Sequence, residues 1–217
     1  MNDLLETQKR YYAARAPEYE DWWYRRGRYE LPPERKAAWQ ADVAEVEAAL
    51  DDFGVHGDVL ELAAGTGIWT RRLVAAARRV VALDANPETL ALNTPRADLR
   101  VVDLFAWEPD EQFDLCFFGF WISHVPAERF DAFWSTVRAA LRPDGRVFLV
   151  DGLVTDPTHL WENEAWVETR TVADGREFRI VKKHWRPDEL AGRVRPLGFE
   201  LDLRATANGH FVYGGGR

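Results

Sequence analysis

The chain has 217 residues, with 28 Lys and Arg against 36 Asp and Glu for a net formal charge of −8. At 47% hydrophobic and 29% charged residues it excludes disorder and collagen-like repeats, and its length suits one large domain, or a domain with attachments, that needs no disulfide or metal staple. The acidity argues against a broad nucleic-acid footprint, and a single cysteine, Cys116, can form neither an internal disulfide nor a thiolate cage.

Residues 1–53 carry helix signals and no strand signal: Leu4–Arg15, Glu18–Arg26, and Pro33–Asp52 after the Leu31-Pro32-Pro33 break. The N-terminus is too charged for an export signal, and the longest apolar run, Phe113–Ile122, is about half the ~20 residues a membrane-spanning helix needs. A cytoplasmic protein with no membrane partner is the expectation. From Val59 onward short apolar runs alternate with helical segments. The runs Val59–Leu62, Val80–Leu83, Val101–Val102, Phe113–Phe118 and Val147–Val150 read as strands covered on both faces. Ile68–Ala77, Pro87–Asn93 and Ala127–Leu141 read as the intervening helices, the last with Phe130, Phe133, Trp134, Val137 and Leu141 on one stripe. Such alternation predicts an α/β fold with a mostly parallel sheet. Residues 165–183 read as a hairpin around Asp174-Gly175, Pro187–Val194 as a helix, and Phe199–Thr206 with Gly209–Tyr213 as a closing antiparallel pair. The expected organisation is one domain: a helical attachment (1–53), a core (54–160), and a hairpin insertion with closing strands (161–217).

Three successive strands end in a carboxylate, Glu61, Asp84 and Asp103. Ligands of open parallel sheets bind outside the carboxyl ends of the strands, so this row suits a ligand with hydroxyls, amines or positive charge. Strand-end acids that only cap loops are the structural alternative. Gly65 and Gly67 allow a tight strand-to-helix turn, but Thr70 stands where a dinucleotide fingerprint wants a third glycine, and Glu61 would repel a pyrophosphate. Asp84, 19 residues after Gly65, is placed to take ribose hydroxyls. A nucleoside with a cationic tail fits better than a dinucleotide.

Glu61-x-Ala63-x-Gly65-Thr66-Gly67, with Ala63 in place of the more usual glycine, resembles the first motif of the class I S-adenosylmethionine-dependent methyltransferases. The resemblance runs along the whole chain and implies a Rossmann-like seven-stranded sheet and S-adenosylmethionine as cofactor, without a metal. It implies that Gly65 and Gly67 lie under the methionine part, that Asp84 takes the ribose, that Asp103-Leu104-Phe105 contacts the adenine, and that Glu61, Ala63 and Ala85 also belong to the cofactor site. Phe118 and Gly119 would lie near the transferable methyl. The segment Tyr12-Ala13-Ala14-Arg15-Ala16-Pro17-Glu18-Tyr19 is similar to the lid of small-molecule methyltransferases, which adds Tyr12, Arg15 and Tyr19 to the expected cofactor site. Trp121-Ile122-Ser123-His124-Val125-Pro126 and the string Asp174–Lys182 resemble a bacterial subgroup that includes the phosphonate O-methyltransferase of dehydrophos biosynthesis.

The expected partner is therefore a small-molecule acceptor, with the oligomeric state open between monomer and homodimer. O-methylation of an acidic or hydroxylated metabolite is the leading reading; methylation at nitrogen, sulfur or carbon, and a cofactor-binding sensor without turnover, are the alternatives. His124 is the candidate general base, with a structural histidine as its alternative. Arg170 and Lys182, matched to the subgroup strings, are candidate anchors for an anionic acceptor; a charged, solvated edge strand is the bland alternative. Of the ten tryptophans, Trp22, Trp23 and Trp121 are expected where an acceptor pocket should be, Trp39 and Trp134 in the core, and Trp161, Trp166 and Trp185 have no assigned place. His56, His159, His184 and His210 lack metal-ligand spacing.

Overall fold

The computed structural model describes residues 2–94, 96–153 and 166–217, so His159, Trp161 and the boundary expected between 160 and 161 lie outside the described residues. Five strands, β1 (Asp58–Leu62), β2 (Arg79–Asp84), β3 (Asp98–Val101), β4 (Phe113–Gly119) and β5 (Leu141–Gly152), run parallel, and β8 (Leu201–Ala205) and β9 (Phe211–Gly216) close the sheet antiparallel. Their order is β3-β2-β1-β4-β5-β9-β8. The order reverses direction at β1 and β4, and ligand crevices open at such a reversal. β1 is buried throughout and β4 nearly so, as continuous apolar runs require, whereas β3 is a half-exposed edge with Val101 60% exposed.

The helices are α1 (Asn2–Arg15), α2 (Tyr19–Trp23), α3 (Pro33–Phe53), α4 (Thr70–Ala76), α5 (Pro87–Leu90), α6 (Phe130–Ala140) and α7 (Pro187–Val194). α6 buries Phe130, Phe133, Trp134, Val137 and Ala140 on one stripe. It begins later than the sequence suggests because Ala127–Arg129 forms a separate 3-10 turn after Pro126. β5 begins earlier, at Leu141: the pairing passes from Phe113–Leu141 to Leu115–Arg146, so the Pro143-Asp144-Gly145 turn is an irregularity within the strand. β9 also extends through Gly214-Gly215-Gly216, where Gly214 has φ +138° and a Cβ would overlap the Asp202 carbonyl of the neighbouring strand. Small residues let that strand lie between two partners.

The expected hairpin is β6 (Val167–Thr171) paired with β7 (Glu177–Val181), a two-stranded sheet of its own. It lies against α1, where Tyr11 clusters with Val172 and Ile180. Aromatic rings from distant segments meet on the other flank: Trp22 is edge-on to Phe120 at 5.2 Å, Trp23 to Trp69 at 5.6 Å, and Trp39 to Phe211 at 4.7 Å. Trp185, unassigned from sequence, packs on Phe130 at 5.2 Å and on Trp166 at 5.8 Å. Among the described residues no helix is long and apolar enough to cross a membrane.

Candidate active site

At the carboxyl edge of β1, β2 and β4 opens a cleft of about 770 Å³ lined by Tyr12, Tyr19, Ala63, Gly65, Asp84, Ala85, Asp103, Leu104, Phe105 and Gly119, all expected there from the sequence. α1 roofs it with Leu5, Gln8 and Lys9, which no motif flagged. A smaller recess of about 320 Å³ shares Tyr19, Ala63, Gly65 and Gly119 with this cleft and ends at Glu61.

Each acid is held differently. Asp84 accepts from the backbone N–H of Gly65 (2.9 Å) and of Asn86 (2.8 Å), which fixes the glycine turn to β2. Asp103 accepts from the Phe105 N–H (3.0 Å) and the Lys9 ammonium (2.9 Å). Burial works to raise its pKa, but these donors outweigh it and hold Asp103 below the usual carboxylate range. Glu61 is 2% exposed, and its Oε2 has no hydrogen-bond partner. Burial pushes its pKa up to about 8, against a smaller opposing effect of the Thr70 hydroxyl, and the Asp84 charge pushes the same way. A buried carboxyl with an orphaned oxygen at the end of a recess is a site waiting for a donor. The Thr66 and Thr89 hydroxyls nearby are orphaned as well.

The turn itself is strained. Ala63 has φ +54°, a region that disfavours any side chain, and Phe120 has φ +56° at the end of β4. Gly67 (φ +86°) does not line the cleft as expected; a Cβ there would overlap the Asn93 amide, so its glycine is required by packing.

Beyond Phe120 lies a second cavity of about 790 Å³, lined by Tyr11, Arg15, Trp22, Trp39, Gly152, Leu153, Arg170, Ile180, Lys182, His184, His210 and Phe211. Tyr12, Tyr19, Phe120 and His124 line both spaces and form the wall between them. His124 is 2% exposed. Its Nδ1 lies 2.6 Å from the Val181 carbonyl, which can only accept, so Nδ1 carries the ring proton. Burial, reinforced by the Lys182 charge, holds the imidazole well below its ordinary pKa, and the neutral ring then accepts the Tyr12 hydroxyl proton at Nε2 (2.5 Å). Gln8 locks this assembly by donating to the His124 carbonyl (3.3 Å) and accepting from the Val181 N–H (3.0 Å).

The cations of the second cavity are not equivalent. Arg170 is paired with Glu168 at 2.5 Å. Lys182 donates to Ser123 Oγ (2.7 Å) and Asp151 (3.2 Å), both buried, and so ties the hairpin to β5. Replacing Lys182 by Met should cost roughly 2–3 kcal/mol in denaturant unfolding at pH 7, because Asp151 keeps only the Ser123 and Gly152 N–H donors. Arg15 forms no salt bridge among the described residues. Its guanidinium is ringed by Tyr19 and Trp22 (5.2 Å each), Tyr11 (5.7 Å) and Tyr29 (6.0 Å), and its Nε is buried without a partner.

Several expected positions are therefore corrected. Arg15 lines the second cavity and not the first. Phe118 is fully buried against Phe133 and Trp134, so only its neighbours Gly119 and Phe120 reach the clefts. Of Trp22 and Trp23, both expected at the pocket, only Trp22 lines the second cavity, and Trp23 belongs to the aromatic core. Trp121 sits by Phe105 (5.4 Å) in the first cleft, away from the second. Among the described residues no group of three His, Cys, Asp or Glu side chains converges as a metal site.

A model of a methyltransferase domain matches residues 59–145. An uncharacterised methyltransferase of Staphylococcus carnosus (strain TM300) is 34% identical over 151 residues, 68% of this chain and 72% of that protein. The sheet order, the acid row at its edge and these matches define the class: the chain belongs to the class I S-adenosylmethionine-dependent methyltransferases, with S-adenosylmethionine as cofactor. Among solved structures it is similar to DhpI in the DhpI–SAM–HEP complex (38% identity, 99% of this chain and 97% of that one, TM-score 0.82). The DhpI–SAH complex matches at 38% identity over 100% and 98% of the two chains, with a TM-score of 0.80. The 1,6-didemethyltoxoflavin-N1-methyltransferase of Burkholderia thailandensis shares the fold at 18% identity, covering 96% and 88%, with a TM-score of 0.60.

Proposed function

We propose that residues 1–217 act as one domain that methylates an oxygen of a small anionic acceptor held in the second cavity. The observation that carries this reading is the shared wall: a cleft with the cofactor-type acid row adjoins a cavity lined by Arg15, Arg170 and Lys182. When bound, S-adenosylmethionine supplies an electrophilic methyl group on a sulfonium. Asp84 takes the ribose hydroxyls, and Asp103, Leu104 and Phe105 hold the adenine with Trp121 beside them. The orphaned oxygen of Glu61 receives the α-ammonium group.

Arg15 is the chief anion anchor, because its charge has no carboxylate partner among the described residues, while Arg170 and Lys182 add positive potential around it. An acceptor that arrives as an anion needs no general base. His124 then acts by position: it accepts the hydrogen bond of the Tyr12 hydroxyl, so that the phenol oxygen presents its lone pairs at the junction of the two spaces. The protein's contribution is alignment and exclusion of water, and alignment alone supplies up to about 7–11 kcal/mol in favourable cases.

The test is a turnover panel of alkylphosphonates, carboxylates, phenols and primary amines, followed by release of S-adenosylhomocysteine. Phosphonates or carboxylates should turn over, with KM rising as salt screens the cations. Turnover of amines alone would overturn the anionic reading. Tight S-adenosylhomocysteine binding without turnover of any class would favour a binding-only protein.

A further inference from the structure

The β8–β9 loop is built around one carboxylate. Asp42, on α3 and fully buried, accepts from Thr206 Oγ1 (2.6 Å), from Asn208 N (3.0 Å) and Nδ2 (2.8 Å), and from His210 N (3.1 Å) and Nδ1 (2.7 Å). Burial works against its charge, but these donors outweigh it and hold the pKa at about 2. An ionised carboxylate only accepts, so His210 Nδ1 carries a proton and the ring's remaining polar atom is Nε2. The imidazole is also fixed edge-on to Trp39 at 5.2 Å.

Thr206, Asn208 and the His210 backbone together give Asp42 four donors, and the imidazole adds a fifth. His210 lines the second cavity, is 30% exposed in its side chain, and Nε2 has no hydrogen-bond partner among the described residues. Carboxylate, ring orientation and cavity together give a rigid polar group facing the acceptor space. It comes from α3 and the loop before β9, whereas Arg170 and Lys182 come from the hairpin and its end.

We propose that His210, held by Asp42, determines acceptor specificity: its Nε2 hydrogen-bonds a second oxygen function of the acceptor, distinct from the anionic group that is methylated. The ring meets the acceptor's hydroxyl at Nε2, and Asp42, bonded to Nδ1, fixes the orientation in which it does so. The acceptor class is thus an acid carrying a hydroxyl group. This deepens the anionic-acceptor reading and rests on it.

The test titrates the S-adenosylhomocysteine-saturated enzyme with ethylphosphonate, 2-hydroxyethylphosphonate, propylphosphonate and 3-hydroxypropylphosphonate by calorimetry. At least one hydroxylated probe should bind the unmodified protein about fivefold tighter than its alkyl counterpart, the worth of one hydrogen bond. His210→Asn keeps a donor for Asp42 but removes Nε2, so it should erase that preference while alkyl affinities stay within about twofold. His210→Gln, whose amide reaches toward the position of Nε2, should recover part of it. A preference that persists in His210→Asn, or is absent from the unmodified protein, overturns the role of His210 alone. Loss of all four affinities in His210→Asn would mean that the residue serves only the loop, and overturns it too. If none of the four probes binds the unmodified protein, this inference is overturned, while the anionic-acceptor reading stands or falls by the turnover panel that includes carboxylates.

Discussion

Glu61→Gln should make the cofactor-free protein more stable and at the same time nearly unable to hold its cofactor. The carboxyl is buried, and its pKa rises from the ordinary 4.5 to about 8 in the folded state. Between those two values the folded protein keeps a proton that the unfolded chain has lost. Stability therefore falls as pH rises across that window and reaches its low plateau above pH 8. Gln has the same shape and no charge to desolvate. At pH 8 the variant should gain on the order of 3 kcal/mol, or roughly 6–12 °C in Tm for a chain of this size, and the gain should vanish near pH 4.5. Cofactor binding should go the other way. The α-ammonium group requires the ionised carboxylate, so S-adenosylhomocysteine affinity should climb up to about tenfold per pH unit toward pH 8 in the unmodified protein. It should be flat and roughly a hundredfold weaker in the variant. Calorimetry in buffers of different ionisation enthalpy counts the proton released; if none is released at pH 7, Glu61 does not receive the ammonium group.

Tyr12→Phe should lower kcat roughly a hundredfold with little change in acceptor KM. The hydroxyl is held on His124 Nε2, and losing it removes an oriented oxygen at the junction without opening a hole. The pH profile separates this role from general-base catalysis by the histidine. At saturating cofactor, kcat should show no inflection near 6.5, because burial and the Lys182 charge keep the imidazole neutral well below that value. An inflection there, abolished in His124→Asn, would restore the histidine as a base. His124→Ala is the less informative variant: it strands the Val181 carbonyl and the Tyr12 hydroxyl, and the destabilisation would obscure the rate effect.

The cofactor side of this site could be read from the chain because its parts are local. Glu61 lies next to the end of β1, Asp84 ends β2 and Asp103 follows β3 by two residues, and a parallel sheet brings successive strand ends to one edge whatever the side-chain detail. The acceptor side draws on α1, α2, α3, the ends of β4 and β5, the hairpin and β9, and only packing decides which side chains face inward. Trp22 and Trp23 show the limit. One residue along a helix is a turn of about 100°, and a five-residue helix has too short a pattern to say which ring faces the core. Phe118 fails for the matching reason in a strand, where a step of one residue changes the face. The pairing of Tyr12 with His124, 112 residues apart, left no trace in spacing, nor did that of Lys182 with Asp151. His210 has no metal-ligand spacing to mark it, and its partner is a carboxylate on a distant helix.

Gln8 bonds at once to the loop after β4 and to the last residue of β7, and His124 bonds to that same residue from the other side. The hairpin is therefore not a module that can be exchanged alone. A chimaera that takes β6 and β7 from a relative to acquire a new acceptor inherits the donor's strand but the host's helix and loop. Unless positions 8 and 124 travel with it, the Val181 amide and carbonyl lose their partners, and the wall between the two cavities loses its hold on Tyr12. Acceptor redesign in this scaffold must treat the first helix, the loop after β4 and the hairpin as a single cassette.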